Sequence, residues 1–303
     1  MKKICVLGSL NIDYTFSVPY FNQPGESLTA LGMAIYTGGK GGNQAIAAAR
    51  MGGDVSMIGC LGSDANGDMY REKMAAEGID TVGIAKADVP SGSAFIEVDP
   101  SGENRIAVAQ GANDVLNPEL VQKVEEKIAG CEIYLTQLEN PVPAILEGMR
   151  LAKKHGATVI LDPAPAKPLS DEMIALCDYM TPNETELEIL TGMPVETVDQ
   201  AIAAARSLIA LGAKAVINKR GGAGALLITA DEATLYPGFK VNVVDTTAAG
   251  DSFNAGFAVG LAKDLPLPEA IRLANAVGAL STTKAGAQAA MPTPAEVEAL
   301  MNK

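Results

Sequence analysis

The segment EIYLTQLENPVPAILEGMRLAKKHGATVIL, residues 132–161, decides the fold class. Glu132–Gln137 and Ala157–Leu161 are short apolar runs of strand length, and Pro141–His155 between them carries apolar residues at helical spacing. The alternation continues outward in both directions. On the N-terminal side a helix is expected from Pro118 to Ala129, and before it a helix over Asp64–Glu77 closed by Gly78 and a strand over Val55–Cys60. Lys2–Leu7 is a continuously apolar first strand of the kind buried on both faces. On the C-terminal side LDPAPA and TPNETELEILTG lead to a strand over Ala213–Asn218 and a strand ending in Lys240–Val244. A long helix over Pro268–Ala285 follows, then a last one capped by Thr293 and Glu296. Such alternation predicts an α/β fold with a mostly parallel sheet and helices on both faces.

Two stretches break the rhythm. In residues 11–40, Tyr14, Phe16 and Val18 alternate as in a half-exposed strand, and Ala94–Val98 pairs with Arg105–Ala109 across the turn Asp99–Gly102. Together they predict a small β-sheet lid inserted, at about 11–40 and 93–109, into a single domain spanning 1–303.

Composition narrows the function classes. Hydrophobic residues at 48% and charged residues at 19% exclude disorder, and no apolar run approaches the roughly 20 residues of a membrane helix. The start MKKICVLGSLNID reads as a first strand rather than a signal peptide, so a cytoplasmic protein is expected. A net charge of −13 argues against nucleic acid and anionic membranes as partners, so any bound phosphate must be held by backbone N–H groups, a few cations and metal. Cys5, Cys60, Cys131 and Cys177 lack paired spacing and are expected to be buried thiols. His155, the one histidine, ends a helical run where a cation suits the helix dipole, which removes any His-based triad.

Chemistry concentrates at Val244–Phe257, VDTTAAGDSFNAGF. A helix starting at Gly250 or Asp251 aims free N–H groups at a loop whose Ala248, Ala249 and Gly250 are too small to block a ligand, which makes an anion site. Asp251 there is either a helix cap or a carboxylate aimed at a hydroxyl about to attack a phosphoryl group. Gly38–Gly52, GGKGGNQAIAAARMG, is a glycine loop entering a helix; Gly41 after Lys40 rules out a Walker A motif, and no G-x-G-x-x-G follows the first strand. That loop serves either a tight helix entry or close approach to a small ligand, with Asn43 pointing at it. Glu139 at a strand's C-terminal end is a site candidate or a solvated turn acid. Asn183 and Glu186 have the spacing of a capping box.

GSLNID, GGKGGNQA, QLEN, DPAPA, TPNETE and DTTAAGDSF occur in this order along nearly the whole chain, which resembles the ribokinase family of carbohydrate kinases, the phosphofructokinase B type. QLEN, DPAPA and the later KAGAQ are closest to its ribose-phosphorylating members. The resemblance implies transfer from ATP to the primary hydroxyl of D-ribose, with Mg²⁺ and an activating monovalent cation, expected to be K⁺. It implies Asp251 as catalytic base and Ala248, Ala249 and Gly250 as anion hole. Asn11, Asp13, Gly39, Lys40, Asn43, Glu139 and Asp251 itself would bind the sugar hydroxyls; Asn183 and Glu186 would serve phosphate and magnesium. Lys219, Gly221, Gly224 and Asn275 would lie at the nucleotide, and Asp245, Thr247, Ser281, Lys284 and Gly286 at the monovalent cation. A homodimer through the lid is expected.

Asn275 replaces a histidine familiar near the adenine, and Asp162 an asparagine; neither is expected to touch the chemistry, but both leave room for another sugar. The alternatives are a family kinase for deoxyribose, a ketose or a nucleoside, and a non-catalytic sugar sensor. A nicotinamide oxidoreductase is disfavoured by the missing glycine fingerprint.

Overall fold

The structure, a computed structural model, describes residues 1–302; residue 303, the expected end of the domain, lies outside the described residues. The strands are β1 Lys3–Leu7, β2 Asn11–Ser17, β3 Gly32–Gly38, β4 Asp54–Gly62, β5 Ile84–Ala87, β6 Gly92–Val98 and β7 Asn104–Ala109. They continue with β8 Ile133–Thr136, β9 Thr158–Leu161, β10 Tyr179–Met180, β11 Ala215–Lys219, β12 Ala225–Ile228 and β13 Ala233–Tyr236. The helices are α1 Lys40–Arg50, α2 Ala65–Ala76, α3 Pro118–Gln122, α4 Glu125–Ala129, α5 Val142–Lys154 and α6 Asp171–Ala175. After them come α7 Glu184–Thr191, α8 Val198–Ala210, α9 Ala249–Ala262, α10 Leu267–Ser281 and α11 Pro294–Met301.

A nine-stranded sheet runs in the order β13-β12-β11-β10-β9-β8-β1-β4-β5. It is parallel from β11 to β5, and only β12 and β13 pair antiparallel. The continuous apolar run of β1 has a simple cause. Ile4 and Val6 face the core shared with α1, α9 and α10, while Cys5 and Leu7 face the core shared with α5 and α8. A strand covered on both faces must be apolar at successive positions.

The chain winds away from β1 through β4 and β5, and in the opposite direction from β8 through β9 to β11. The carboxyl ends of β1 and β8 therefore flank a switch point, where open α/β sheets leave a crevice for ligands. Gly8 and Ser9 leave one strand there, and Gln137–Asn140 leave the other.

The second sheet, in the order β3-β2-β6-β7, is the expected off-sheet insertion. β2 pairs antiparallel with β3 and parallel with β6, and β7 is exposed along its whole length. The four cysteines are buried free thiols, and His155 ends α5 beside Glu125.

Some expectations fail locally. Lys240–Val244 is irregular: Val243 and Val244 are more than half exposed, so β-branching finds no partner strand there. The edge of the sheet is instead the β12–β13 hairpin. The single helix expected over Pro118–Ala129 breaks into α3 and α4 at Val124, whose ψ of 22° is not helical. The long helix ends at Ser281 rather than Ala285, where Thr282 and Thr283 donate hydroxyls to the Ala279 and Leu280 carbonyls and offer the backbone an alternative to further helix. β5, β10, α6 and α8 are short or amphipathic elements absent from the sequence-based outline.

Candidate active site

The helix carrying the acid begins at Ala249, with Ala248 before it in the left-handed region at φ 59°. Asp251 is thus already inside the first turn, and its carboxylate caps nothing. Its side chain lies 5% exposed at the N-terminus of α9, where free N–H groups carry roughly half a positive charge.

Both oxygens of this carboxylate are held from α1. Asn43 Nδ2 donates to Oδ2 at 3.0 Å and Gln44 Nε2 to Oδ1 at 3.0 Å. Gln44 Nε2 also donates to Asp162 Oδ2 at 2.9 Å, and Lys219 Nζ meets the other Asp162 oxygen at 2.7 Å and Glu186 at 3.8 Å. Burial is the largest influence on Asp251 and raises its pKa; Lys40 pulls it down, Asp162 raises it, and the two amide donors lower it. The outcome is a carboxyl pushed up to about 6, matched to accepting a proton near neutral pH. Burial works against the Lys40 ammonium, but Asp251, Asp162, Glu139 and Glu186 outweigh it and its pKa is raised. Asp162 therefore sits at the centre of the charged cluster, contrary to the expectation that this substitution leaves the chemistry untouched.

The glycine loop performs a task the sequence left open. A Cβ on Gly41 would lie 2.5 Å from the Gly8 carbonyl carbon, and one on Gly39, at φ 82°, would lie 2.8 Å from Asn11 N. These glycines let the start of α1 press against the turn after β1, which brings Lys40, Asn43 and Gln44 to the switch-point crevice. Glu139 ties the same junction together by accepting from Lys40 N at 3.1 Å and from the Ser9 hydroxyl, so it is no solvated turn acid.

On the small-sheet side, Asn11 Oδ1 accepts from Asn113 Nδ2 at 2.8 Å, and Leu10 N donates to Asn113 Oδ1 at 2.9 Å. With its oxygen engaged, Asn11 has only its side-chain N–H groups left to donate. Asp13 sits over Gly38, whose missing side chain leaves it room. Burial, and secondarily Glu139, raise the Asp13 carboxyl to about 7.

On the other side two cavities meet. One of about 320 Å³ is lined by Lys40, Asp162, Glu186, Lys219 and Asp251; the other, of about 570 Å³, by Gly224, Phe239, Val243, Phe253 and Asn275. The smaller is polar and charged, suited to phosphates, and the larger is mainly apolar, suited to a base and ribose. Asn183 and Glu186 form a complete capping box at α7: Glu186 N donates to Asn183 Oδ1 and Asn183 N to Glu186 Oε2, each at 2.7 Å. Glu186 Oε1 takes no part in that box, and burial raises the pKa of Glu186 against the pull of Lys219. Gly221 and Gly224 have φ 52° and 102° and line the larger cavity, where Asn275 Nδ2 donates to the Tyr236 and Pro237 carbonyls.

Of the five residues assigned to a monovalent cation, three come together. Asp245 accepts from Thr247 N, Thr247 Oγ1 and Gly286 N at 2.7–2.9 Å; burial opposes its ionisation, but these bonds outweigh it and lower its pKa. The other two side chains point elsewhere. Lys284 pairs with Glu296 at 2.8 Å, and the Ser281 hydroxyl donates to the Gly278 carbonyl.

Four buried amides, Asn113, Gln44, Gln137 and Gln288, and the tyrosine Tyr70 were absent from the sequence-based list. Gln137 Nε2 donates to Gln44 Oε1 at 2.6 Å, and Gln288 Nε2 reaches Asn43 Oδ1 and Tyr70 OH, each at 3.1 Å. A signal existed for Gln44: a long amide inside an alanine-rich buried helix face needs buried partners.

A buried acid at a helix N-terminus, with polar side chains on one side and a phosphate-sized charged cavity on the other, has the arrangement of a phosphoryl-transfer site for a polyhydroxyl substrate. Residues 1–294 match the model of the pfkB family carbohydrate kinases. The chain is 45% identical over 296 residues to the ribokinase of Haemophilus influenzae, covering 97% of each. It is 39% identical over 295 residues to a deoxyribokinase of Salmonella typhi, covering 96% of this chain and 95% of the relative. The solved structure of Arabidopsis thaliana ribokinase complexed with ribose and ATP matches with TM-score 0.95 at 32% identity, covering 100% of this chain and 99% of that one. The chain belongs to the pfkB family of carbohydrate kinases, as its motifs indicated.

Proposed function

We propose that this protein transfers the γ-phosphoryl group of ATP to the primary hydroxyl of D-ribose, giving D-ribose 5-phosphate and ADP. Asn11, Asp13, Lys40, Asn43 and Glu139, with the Gly39 backbone, hold the sugar hydroxyls from the switch-point side. Lys219, Gly221, Gly224 and Asn275 hold the nucleotide in the larger cavity. Asp251 accepts the proton as the sugar oxygen bonds to the γ-phosphorus and the bond from that phosphorus to the bridging oxygen of ADP breaks. The N–H group of Gly250, free where that of Ala249 already donates to the Thr246 carbonyl at 3.2 Å, faces the charge on the transferring group, as a loose transition state requires.

Glu186 and Asn183 beside the charged cavity supply hard oxygen donors that fit Mg²⁺, which when bound neutralises phosphate charge. The Asp245, Thr247 and Gly286 cluster fits a monovalent cation, K⁺ in our reading, without the Lys284 ammonium, which pairs with Glu296. The exposed apolar residues of the small sheet, among them Phe95, Ile106 and Val108, support closure over the sugar and a homodimer through that sheet. A net charge of −13 supports a small-molecule partner rather than nucleic acid or membrane, and among the described residues no helix is long and apolar enough to cross a membrane. We place the enzyme in the cytoplasm.

The observation that carries the proposal is Asp251 itself, buried, held by two amides and poised at about 6 between the two sides of the site. ADP release measured with D-ribose, 2-deoxyribose, fructose and several nucleosides, with and without K⁺, tests it. Ribose is expected to be preferred, with faster turnover in K⁺, and Asp251→Asn to lose roughly 10²-fold or more in kcat. The deoxyribokinase relative makes 2-deoxyribose the competing substrate, and its preference would overturn the assignment of ribose.

A further inference from the structure

We propose that Gln44 is the positioning residue of the phosphoryl-transfer base: its single side-chain nitrogen bridges Asp251 and Asp162 and fixes where the Asp251 carboxylate points. This rests on Asp251 being the base.

The amide cannot turn over. Its oxygen is occupied by Gln137 Nε2 at 2.6 Å, so both N–H groups face the two carboxylates, at 3.0 Å to Asp251 and 2.9 Å to Asp162. A flipped amide would aim its oxygen at two anions and leave Gln137 facing a donor. Gln44 is completely buried, Gln137 1% exposed and Asp162 2% exposed, so these bonds lie at the closed inner wall of the charged cavity that Asp162 and Asp251 line. On the far side of Asp251 the Asn43 amide is fixed the same way, by Gln288. The base is held on both oxygens by amides that are themselves held.

The bridge also solves an electrostatic problem. Two buried carboxylates side by side repel, and one of them tends to keep its proton. A shared N–H donor favours the ionised form of both, and Lys219 adds a cation on the Asp162 side. The charged or titratable groups around Asp251 are Lys40 from α1, Asp162 after β9, Glu186 from α7 and Lys219 at the end of β11. Asp13 from β2, Glu139 after β8 and Tyr70 from α2 complete the set. Without the Gln44 donor, Asp162 would act on Asp251 unshielded, and the base would both lose its aim and hold its proton to higher pH.

The test compares Gln44→Met, close in size but without donors, with Asp162→Asn, the double variant and Asp251→Asn, each assayed for ADP release from ribose across pH. Gln44→Met is expected to lose roughly ten- to a hundredfold in kcat with KM for ribose little changed, as for a misaimed catalytic group. Its acid limb should move to higher pH. Asp162→Asn should move the limb to lower pH, and adding it to Gln44→Met should bring the limb back down. An unshifted limb and full kcat in Gln44→Met, with Asp251→Asn inactive, would overturn the proposal while leaving the base in place. Turnover surviving in Asp251→Asn would remove the base and the proposal together. Should Gln44→Met fail to fold, Gln137→Leu frees the amide without touching either carboxylate, and it too must raise the limb or the proposal fails.

Discussion

Lowering the pH should switch this enzyme off in two steps, and one substitution should remove the first. Asp251 titrates at about 6 and Asp13 at about 7, both above an ordinary aspartate because burial disfavours the charged form. In the proposed roles, as acceptors for sugar protons, both must be ionised in the free enzyme, the state that kcat/KM for ribose reports. At pH 5 Asp13 is two units below its pKa and Asp251 one unit below, so about a hundredth of one and a tenth of the other remain ionised. The product predicts kcat/KM about a thousandfold below its alkaline plateau. In Asp13→Asn the plateau is lower, because the sugar loses an acceptor, but only the Asp251 limb persists and the fall to pH 5 shrinks to about tenfold. Initial rates of ADP release at low ribose from pH 5 to 9, with a coupling system checked at each pH, measure both curves. A profile for Asp13→Asn that parallels the parent over that range would refute the assignment of Asp13 as a titrating sugar ligand. A parent profile flat to pH 5 would refute the buried-carboxylate account of both residues.

Three further outcomes follow from the same geometry. Because the folded pKa of Asp13 is raised, its linkage term stabilises the fold at low pH and is lost as pH rises through about 7, so Asp13→Asn should raise the melting temperature of the unliganded protein at pH 8 by a few degrees and by less at pH 5; no difference between the two pH values would contradict this. Gly41→Ala should cost roughly 2–4 kcal/mol in urea unfolding, since the new methyl meets the Gly8 backbone at 2.5 Å and backbone cannot swing aside; a parent-like midpoint would show that the α1 junction has slack. Asn113→Ala leaves Asn11 unheld and should raise KM for ribose roughly tenfold, the cost of about one hydrogen bond, with a smaller effect on kcat; an effect on KM for ATP instead would place Asn113 on the wrong side of the site.

The sequence by itself determined the layered architecture, because that depends on periodicity over ten residues or more. The apolar runs at Lys2–Leu7 and Ala157–Leu161 and the helical spacing of Pro141–His155 leave a parallel sheet as the only way to bury every face. Caps were legible for the same local reason: the Asn183–Glu186 and Thr293–Glu296 boxes form as spaced. The motif order also carried the family, over residues 1–294. Where a residue's state depends on partners distant in the chain, only the tertiary structure decided. Lys240–Val244 has strand-forming residues and no neighbour to pair with. Local pattern could not separate Asp251 the cap from Asp251 the buried acid, since Asn43, Gln44 and Lys40 lie more than two hundred residues away. Asp162 looked incidental until the fold set it against Gln44 and Lys219. Hydrogen bonds and charge act over a few ångströms, and which groups come that close is fixed by the crossing of strands and helices, not by spacing along the chain.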